Sequence, residues 1–447
     1  MARTAKSAAT VDAVLIRRLL GFSFAPLSLL FGCEPTTAVE PRPKLGGGPG
    51  DSAGFEDSGD GGSDTADSDT DTFDTSDTIG AEWTILVYMN GDNDLEAWAL
   101  ADVNEMEVIG STENVNIVVQ LDRSPDYVRD DGDWSGARRY RVEADDSTRT
   151  IGSPVLAELG EVDSGIPPTI ADFATWGMEN FPAERYALVL WDHGTGWNFA
   201  GDPERKKAIS DDYSSGNQLS VAGGDLTELL AGVTGGVRKL DLLGMDACTM
   251  QMWEVAWVVE PYADFMVASQ DYEALTGWAY DRFLADLVAD PTMDGDELGS
   301  SIALRFHEIP DSTQSVLDLS YLPALTSALD DVADAAVESG YARELLWTAA
   351  TGAQGFDGPY SSDHDVHDLL SRLKAASEDP EVDAAVEAAE IVADAVVVTS
   401  YNQGGAVKSA QGLSIYSPAE GLMPPTYSGA PWAAASRWDE FLQAASE

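Results

Sequence analysis

Cysteine is almost missing from this chain: its 447 residues include two, Cys33 and Cys248. That number rules out a disulfide-framed mini-domain. Positive charge is equally scarce, with 25 Lys and Arg against 78 Asp and Glu and a formal net charge of −53. Nucleic acid needs clustered Lys and Arg on its phosphates, so the balance argues against it as a partner. Between Lys44 and Arg123 there is no basic residue at all. The N-terminal apolar run, Leu19 to Phe31, is 13 residues long and too short to cross a bilayer as an ordinary helix. What the chain does have is 44% hydrophobic residues and 12 tryptophans, enough to fill a large packed core.

The short run has another use. Arg3, Lys6, Arg17 and Arg18 precede it as a positive region, as in an export signal. Leu30-Phe31-Gly32-Cys33 resembles the lipobox of bacterial lipoproteins, which implies lipidation at Cys33 and a chain held outside the cytoplasm. The reading is a lipoprotein signal peptide over 1–33, with the protein anchored in the cell envelope at the outer membrane. With Cys33 so occupied, no disulfide to Cys248 is expected. From 34 to 82 Gly, Ser, Thr and Asp dominate, and apolar residues are too few to offset the entropy of ordering. This stretch reads as a disordered acidic tether. Asp67, Asp69 and Asp71 alternate as in calcium loops but lack the turn glycine and the distal glutamate, so a solvated linker is the better reading.

From residue 83 to 447 the pattern is that of one α/β domain. Thr84–Met89, Val115–Leu121, Tyr186–Trp191, Lys239–Gly244 and Phe265–Ser269 are short, nearly continuous apolar runs, as in strands buried on both faces. Helical spacing fills Leu95–Ile109, Thr169–Glu179 and Leu219–Leu230 between them. Strand, helix, strand in that order predicts a mostly parallel central sheet flanked by helices. From Leu298 to Ala395 the chain is Ala-rich and reads as mainly helical; Gly412–Ser417 reads as a last strand before a C-terminal helix.

Two strand ends carry reactive side chains. Tyr186–Asp192 runs into His193-Gly194, and Leu240–Gly244 leads to Asp246-Ala247-Cys248 and a helical run from Met250. The carboxyl edge of such a sheet is where ligands bind. A thiol near a helix start and an imidazole is biased toward thiolate. His193 can take its proton and return it to a leaving amine. The backbone N–H groups of Gly194 and Cys248 can receive an oxyanion. Taken singly, a buried cysteine is more often inert packing and a loop histidine merely solvated. Their common placement, 55 residues apart on two expected neighbours, favours chemistry.

Val87–Glu96, Trp191-Asp192-His193-Gly194 and Asp246-Ala247-Cys248 resemble the clostripain family of cysteine peptidases. Asn104–Glu107, Ser269-Gln270-Asp271 and Gly412–Tyr416 extend the match in order over residues 83–418. The resemblance implies a caspase/hemoglobinase-like fold with a helix-rich C-terminal part, His193 as general base and Cys248 as nucleophile. It also implies cleavage after Arg or Lys, with Asp246 at the pocket for the basic side chain and Asp271 as a second acid. Self-cleavage within Arg205-Lys206-Lys207, after Lys207, is implied in the same way, and peptides or proteins with basic P1 residues are the implied partners. Calcium is admitted by the resemblance alone; no ligand set and no metal residue is assigned. Thr249 and Ser417 depart from the family, which commonly has leucine and an aromatic residue there. His364 and His367 stand at helical spacing and read better as a solvated helix start capped by Asp363 than as metal ligands; His307 stands alone. The competing reading is a catalytically silent surface protein that keeps the fold as a peptide- or partner-binding module.

Overall fold

In the computed structural model, which describes residues 80–197 and 209–447 except 126, 307–308, 310–311, 357–361 and 422, the chain enters on strand β1 (Ala81–Gly91). Its side chains alternate: Ile85, Val87 and Met89 join one core and Leu86 and Tyr88 the other. Helix α1 (Glu96–Ile109) follows, burying Ala99, Leu100, Val103 and Met106, and returns the chain to β2 (Val115–Arg123), parallel to β1. Two antiparallel strands, β3 (Gly136–Arg141) and β4 (Val155–Gly160), close that edge. Helix α2 (Pro167–Asn180) leads to β5 (Ala183–Trp191), which lies parallel on the other side of β1.

After Trp197 the description resumes at β6 (Ile209–Asp211), paired with β7 (Gln218–Leu219). Helix α3 (Asp225–Thr234) precedes β8 (Leu240–Asp246), parallel to β5; helix α4 (Trp253–Val259) precedes β9 (Ala263–Ala268), parallel to β8. Helices α5 (Tyr280–Ala289) and α6 (Gly295–Phe306) then cover the α1 face, where Phe283, Leu287, Ile302 and Phe306 meet Val87 and Met89 in one core.

The remainder does not form a body of its own. Strand β10 (Ser312–Asp318) pairs antiparallel with β9, and β12 (Val397–Gln403) with β10. Helices α7 (Leu322–Glu338), α8 (Ala342–Gly352), α9 (Val366–Ala376), α10 (Pro380–Val396) and α12 (Trp438–Ser446) share a core with α2, α3 and α4 on the second face. Strands β11 (Asp363–Asp365) and β13 (Ser414–Tyr416) form a small separate pair, and the short α11 (Pro425–Ser428) precedes α12. The sheet order is β12-β10-β9-β8-β5-β1-β2-β3-β4: five parallel strands in the middle and antiparallel edges. Every described residue belongs to one compact unit. Among the described residues no helix is long and apolar enough to cross a membrane.

Three expectations are corrected. The stretch read as mainly helical, Leu298 to Ala395, contains β10, whose Ser312, Thr313, Gln314 and Ser315 are buried yet polar and so left no apolar signature. Leu219 belongs to β7 rather than to a helix. Asp363 lies in β11, and the cap of α9 is Asp365, which accepts from the Asp368 backbone N–H. His364 and His367 are buried there, not solvated.

Candidate active site

The parallel register of β5 and β8 sets Trp191 beside Asp246 at their carboxyl ends, so the residues following each strand emerge at one rim. Asp192 is the buried hub on the β5 side. Its carboxylate accepts from Asn93 Nδ2 (2.7 Å), Asn90 Nδ2 (3.1 Å), the His193 backbone N–H (2.6 Å) and the Asp211 backbone N–H (2.5 Å). Burial is the main influence and pushes this carboxyl up to about 8. The hub ties the end of β1 and the start of the β6 segment to the residue that presents the imidazole.

His193 is mostly buried, and its Nε2 lies 2.8 Å from Asp94 Oδ1. Burial raises the Asp94 carboxyl, but the His193 hydrogen bond, its charge and the Tyr213 hydroxyl outweigh that and hold it below its ordinary value. Gly194 packs against the Cys248 backbone so closely that a Cβ there would run into the Cys248 carbonyl. That contact places the loop after β5 directly on the loop after β8.

Cys248 sits in a turn just past β8, 2% exposed, with Sγ accepting from the Glu273 backbone N–H at 3.2 Å. The following Thr249 has φ 57°, a left-handed conformation that a β-branched residue adopts only under strain, held here by its N–H to the Asp271 carbonyl (3.1 Å). Two expectations fail at this residue. Helix α4 begins only at Trp253, five residues on, and a helix dipole acts within about its first turn, so it gives the thiolate little support. Cys248 is also disulfide-bonded in this structure.

His193, Cys248 and Asp246 line one pocket with Leu95, Trp191, Glu273 and Gly277, enclosing about 330 Å³ with its open mouth. Asp246, 4% exposed, accepts from Tyr280 Oη (2.9 Å) and the Trp278 backbone N–H (3.3 Å). Burial pushes it up to about 6. Glu273 is buried with both carboxylate oxygens lacking hydrogen-bond partners, and Asp102 lies beneath, accepting from Trp191 Nε1 at 2.7 Å. Burial first, and then the Asp246 charge, drive Asp102 and Glu273 well above the carboxylate range. No Lys, Arg or His among the described residues forms an ion pair with any of the three.

Asp271 lies outside that lining; its carbonyl braces Thr249 instead, and Glu273, two residues on, faces the pocket. Arg205, Lys206 and Lys207, the signal peptide, Cys33, nearly all of the linker and His307 lie outside the described residues. His364 and His367 share no site. His364 Nδ1 is 3.0 Å from Ser417 Oγ, which gives the departure at Ser417 a partner, and His367 Nε2 is 3.1 Å from Asp394. Sequence reasoning missed Asp94, Asp102 and Glu273 as site residues. Asp94 was within reach, since Asp92-Asn93-Asp94 follows β1 at the same sheet edge.

A family model described as Peptidase_C11, Clostripain family, matches residues 87–444. The chain belongs to the clostripain family. Clostripain of Hathewaya histolytica is 30% identical over 218 residues, which cover 44% of this chain and 41% of that protein. The chain thus spans well under two thirds of the length of that curated relative. A secreted C11 cysteine protease from Bacteroides thetaiotaomicron, solved with an irreversible peptide inhibitor, superposes with a TM-score of 0.59 at 21% identity. That match covers 79% of this chain and 99% of the other. An inactive zymogen C11 protease from Parabacteroides distasonis matches with a TM-score of 0.59 at 20% identity, over 82% of this chain and 99% of its own. At these identities the structural likeness concerns the fold, a large central sheet of mostly parallel strands flanked by helices.

Proposed function

We propose that this clostripain-family protein is a cysteine endopeptidase cleaving after Arg or Lys, with Cys248 as nucleophile and His193 as general base. Membership of a peptidase family supports the reaction class. The observation carrying the specificity is the pocket that adjoins His193 and Cys248 and holds Asp246 and Glu273, both buried and without a cation. Buried acids without a positive partner are costly, and a Lys or Arg side chain entering the pocket supplies one. Asp246 is the primary acid and Glu273 the second, while Asp271 shapes the wall through its backbone.

The roles follow from chemistry. Asp94 holds the Nε2 side of the ring, so Nδ1 is the nitrogen that must exchange a proton with the thiol. The thiolate attacks the scissile carbonyl, the N–H groups of Gly194 and Cys248 receive the oxyanion, and His193 protonates the departing amine. Only the reduced thiol can do this. Lipidation of Cys33, the chain's other cysteine, would remove the sole intramolecular pairing option, so the anchor and the active thiol are compatible. Self-cleavage after Lys207 fits the same specificity, because Ile209 and Asp211, just downstream, pack against Gly194 and Asp192. The reading places the protein outside the cytoplasm, tethered by Cys33 at the outer membrane.

The disulfide at Cys248 favours the rival, a silent binder with the same fold. Peptides varied only at P1, assayed with a thiol reductant and a Cys248→Ala control, separate the two. The expected result is turnover confined to Arg and Lys peptides and lost in the variant. Equal turnover of Leu and Arg peptides overturns the specificity, and no turnover of any reduced sample overturns the enzyme.

A further inference from the structure

The strand order β8-β5-β1-β2 fixes the order of groups along the rim. Cys248 follows β8, His193 follows β5, Asp94 follows β1 and Tyr127 follows β2. Among the described residues three aromatic side chains are well exposed: Tyr127 (50%), Tyr213 (41%) and Tyr321 (47%). Two of them touch. The rings of Tyr127 and Tyr213 meet edge to face, 6.3 Å apart at 65°. Tyr213 also lies beside the catalytic pair, because its Oη donates to Asp94 Oδ1 (3.2 Å), the oxygen that faces His193 Nε2 at 2.8 Å. The aromatic corner is held from beneath. The Tyr213 backbone N–H donates to the Asp92 carbonyl (2.9 Å). Next to Tyr127, the Val128 N–H donates to Glu96 Oε2 (2.9 Å) and the Val128 carbonyl accepts from Arg123 Nη2 (3.1 Å). Glu96 and Arg123 are themselves paired at 2.7 Å and wholly buried.

We propose that Tyr127 and Tyr213 form a subsite for an aromatic side chain on the leaving side of the cleaved bond, at the first or second residue after it. The inference rests on the peptidase reading for its direction. The acidic pocket for the basic residue sits on the Cys248 side, lined by Asp246, Glu273 and Gly277. His193 protonates the departing amine, so that nitrogen lies on the imidazole side and the chain beyond it runs toward the ends of β1 and β2. Neighbouring strands lie about 4.8 Å apart and an extended chain advances about 3.3 Å per residue, so two residues carry it past Asp94 to the tyrosines. Two rings set steeply to each other offer an incoming ring a face and an edge at once, the arrangements that aromatic groups prefer. Asp94 Oδ1 is already engaged by both His193 and Tyr213, so the corner presents ring surface rather than a carboxylate. Because both loops are pinned, little ordering remains to oppose binding.

The test pairs the full chain carrying Cys248→Ala, which binds peptides without cutting them, with the reduced wild type. Peptides of one sequence centred on Arg carry Gly, Phe or Lys at each of the two positions that follow. Calorimetry on the Cys248→Ala chain should show Phe binding tighter than Gly by roughly three- to tenfold at one of them, the scale of an aromatic pair. Adding Tyr127→Ala should bring that ratio within about twofold. Tyr127 is half exposed, so the truncated chain should still fold, and melting curves check that it does. Tyr213→Phe should keep the ratio, since it removes only the hydroxyl. In the reduced wild type the same preference should appear in kcat/KM. Equal binding of Phe and Gly peptides at both positions, absence of any binding, or a preference that survives Tyr127→Ala would each overturn the subsite; a preference for Lys over Phe would overturn the aromatic class. A ring-dependent preference in binding without turnover by the reduced wild type would keep the subsite and sink the peptidase reading.

Discussion

At the carboxyl ends of β1, β5 and β8 and in the loop beside them the buried side chains are Asp92, Asn93, Asp192, Asp246 and Glu273, two of which, Asp92 and Glu273, have carboxylate oxygens without hydrogen-bond partners. In the layer of α7, α8, α10 and α12 on the second face they are Leu325, Leu329, Val332, Leu345, Val386, Phe441 and many alanines. Both regions exclude water to a similar degree, yet burial does opposite things in them. In the helical layer it is the source of stability, since each apolar side chain removed from water contributes about 1.5–3 kcal/mol. At the rim it holds carboxyls away from their ordinary ionisation and so stores a preference for incoming positive charge. The rim is thus built at a cost in stability that the helical layer offsets.

The contrast can be broken most sharply by exchanging small substitutions between the two regions. Compared with the reduced parent, Cys248→Ala should lower kcat/KM on an Arg peptide by 10⁴-fold or more and leave the melting midpoint close to that parent's, because on the proposed reading the removed atom is the nucleophile. Assays at high enzyme concentration with parallel melting curves check both halves of that statement. Leu329→Ala, in α7 and 1% exposed, should behave in reverse. It should cost about 2–5 kcal/mol in urea unfolding, through lost transfer energy and the cavity left behind, and leave the kcat/KM of the folded fraction unchanged. If Leu329→Ala impaired catalysis at temperatures where it is fully folded, the division of labour would be wrong.

The same contrast decides how much could be read from the sequence. The five parallel strands were legible because burial on both faces leaves continuous apolar runs, as in Leu188-Val189-Leu190. Strands β3 and β4 were not: β3 carries Arg138, Arg139 and Arg141, and β4 is largely exposed, so neither shows an apolar period. Strand β12 was hidden because it continues straight from α10 with no break residue between them. At the rim, His193, Cys248 and Asp246 stood out because rare residue types, or an acid beside one, follow buried strands. Asp102 lies within a helix and Glu273 in a loop, and in a chain with 78 acidic residues one more carboxylate carries no signal. Only the fold brings them beneath the pocket. Helix α4 shows the opposite failure, since the apolar run from Met250 looks helical from its start, but strained Thr249 and the bonds of Gln251 to Ser269 and Ser315 keep it extended until Trp253.

Glu254 lies between the two regions and sharpens the comparison through pH. It is fully buried on α4, where Oε1 accepts from the Tyr416 backbone N–H and from Tyr427 Oη, each at 2.9 Å. Burial pushes its carboxyl up to about 7. The folded chain therefore keeps this proton after the unfolded chain has lost it near pH 4.5. Stability attributable to Glu254 is full below about 4.5, falls as pH rises, and is gone above about 7, a change of up to about 3 kcal/mol. Glu254→Gln lacks that proton, so relative to wild type the variant should gain stability between pH 5 and pH 8 in urea melts. A difference that stays constant across this range would mean that Glu254 remains ionised when folded, and the rim's behaviour would not extend into α4.

The smallest effect expected is also the one that tests the rim as a catalytic device rather than a cluster of buried charge. Asp94 is 28% exposed in its side chain and touches the reacting groups only through His193 Nε2. On the proposed reading it is a positioning residue: by engaging Nε2 it leaves Nδ1 for proton exchange with the thiol. A hydrogen bond to a charged group contributes about 1.5–3 kcal/mol, and partial exposure puts this one at the low end, about tenfold in rate. Asp94→Asn should therefore lower kcat by about tenfold while leaving KM and the melting midpoint where they were, because Asn can still accept one hydrogen bond but cannot stabilise an imidazolium. Asp94→Ala should lose more, for the ring would then be free to turn. An unchanged kcat in both variants would show that the imidazole is oriented by other contacts and that Asp94 belongs to the scaffold, whereas a raised KM would move it to the substrate pocket.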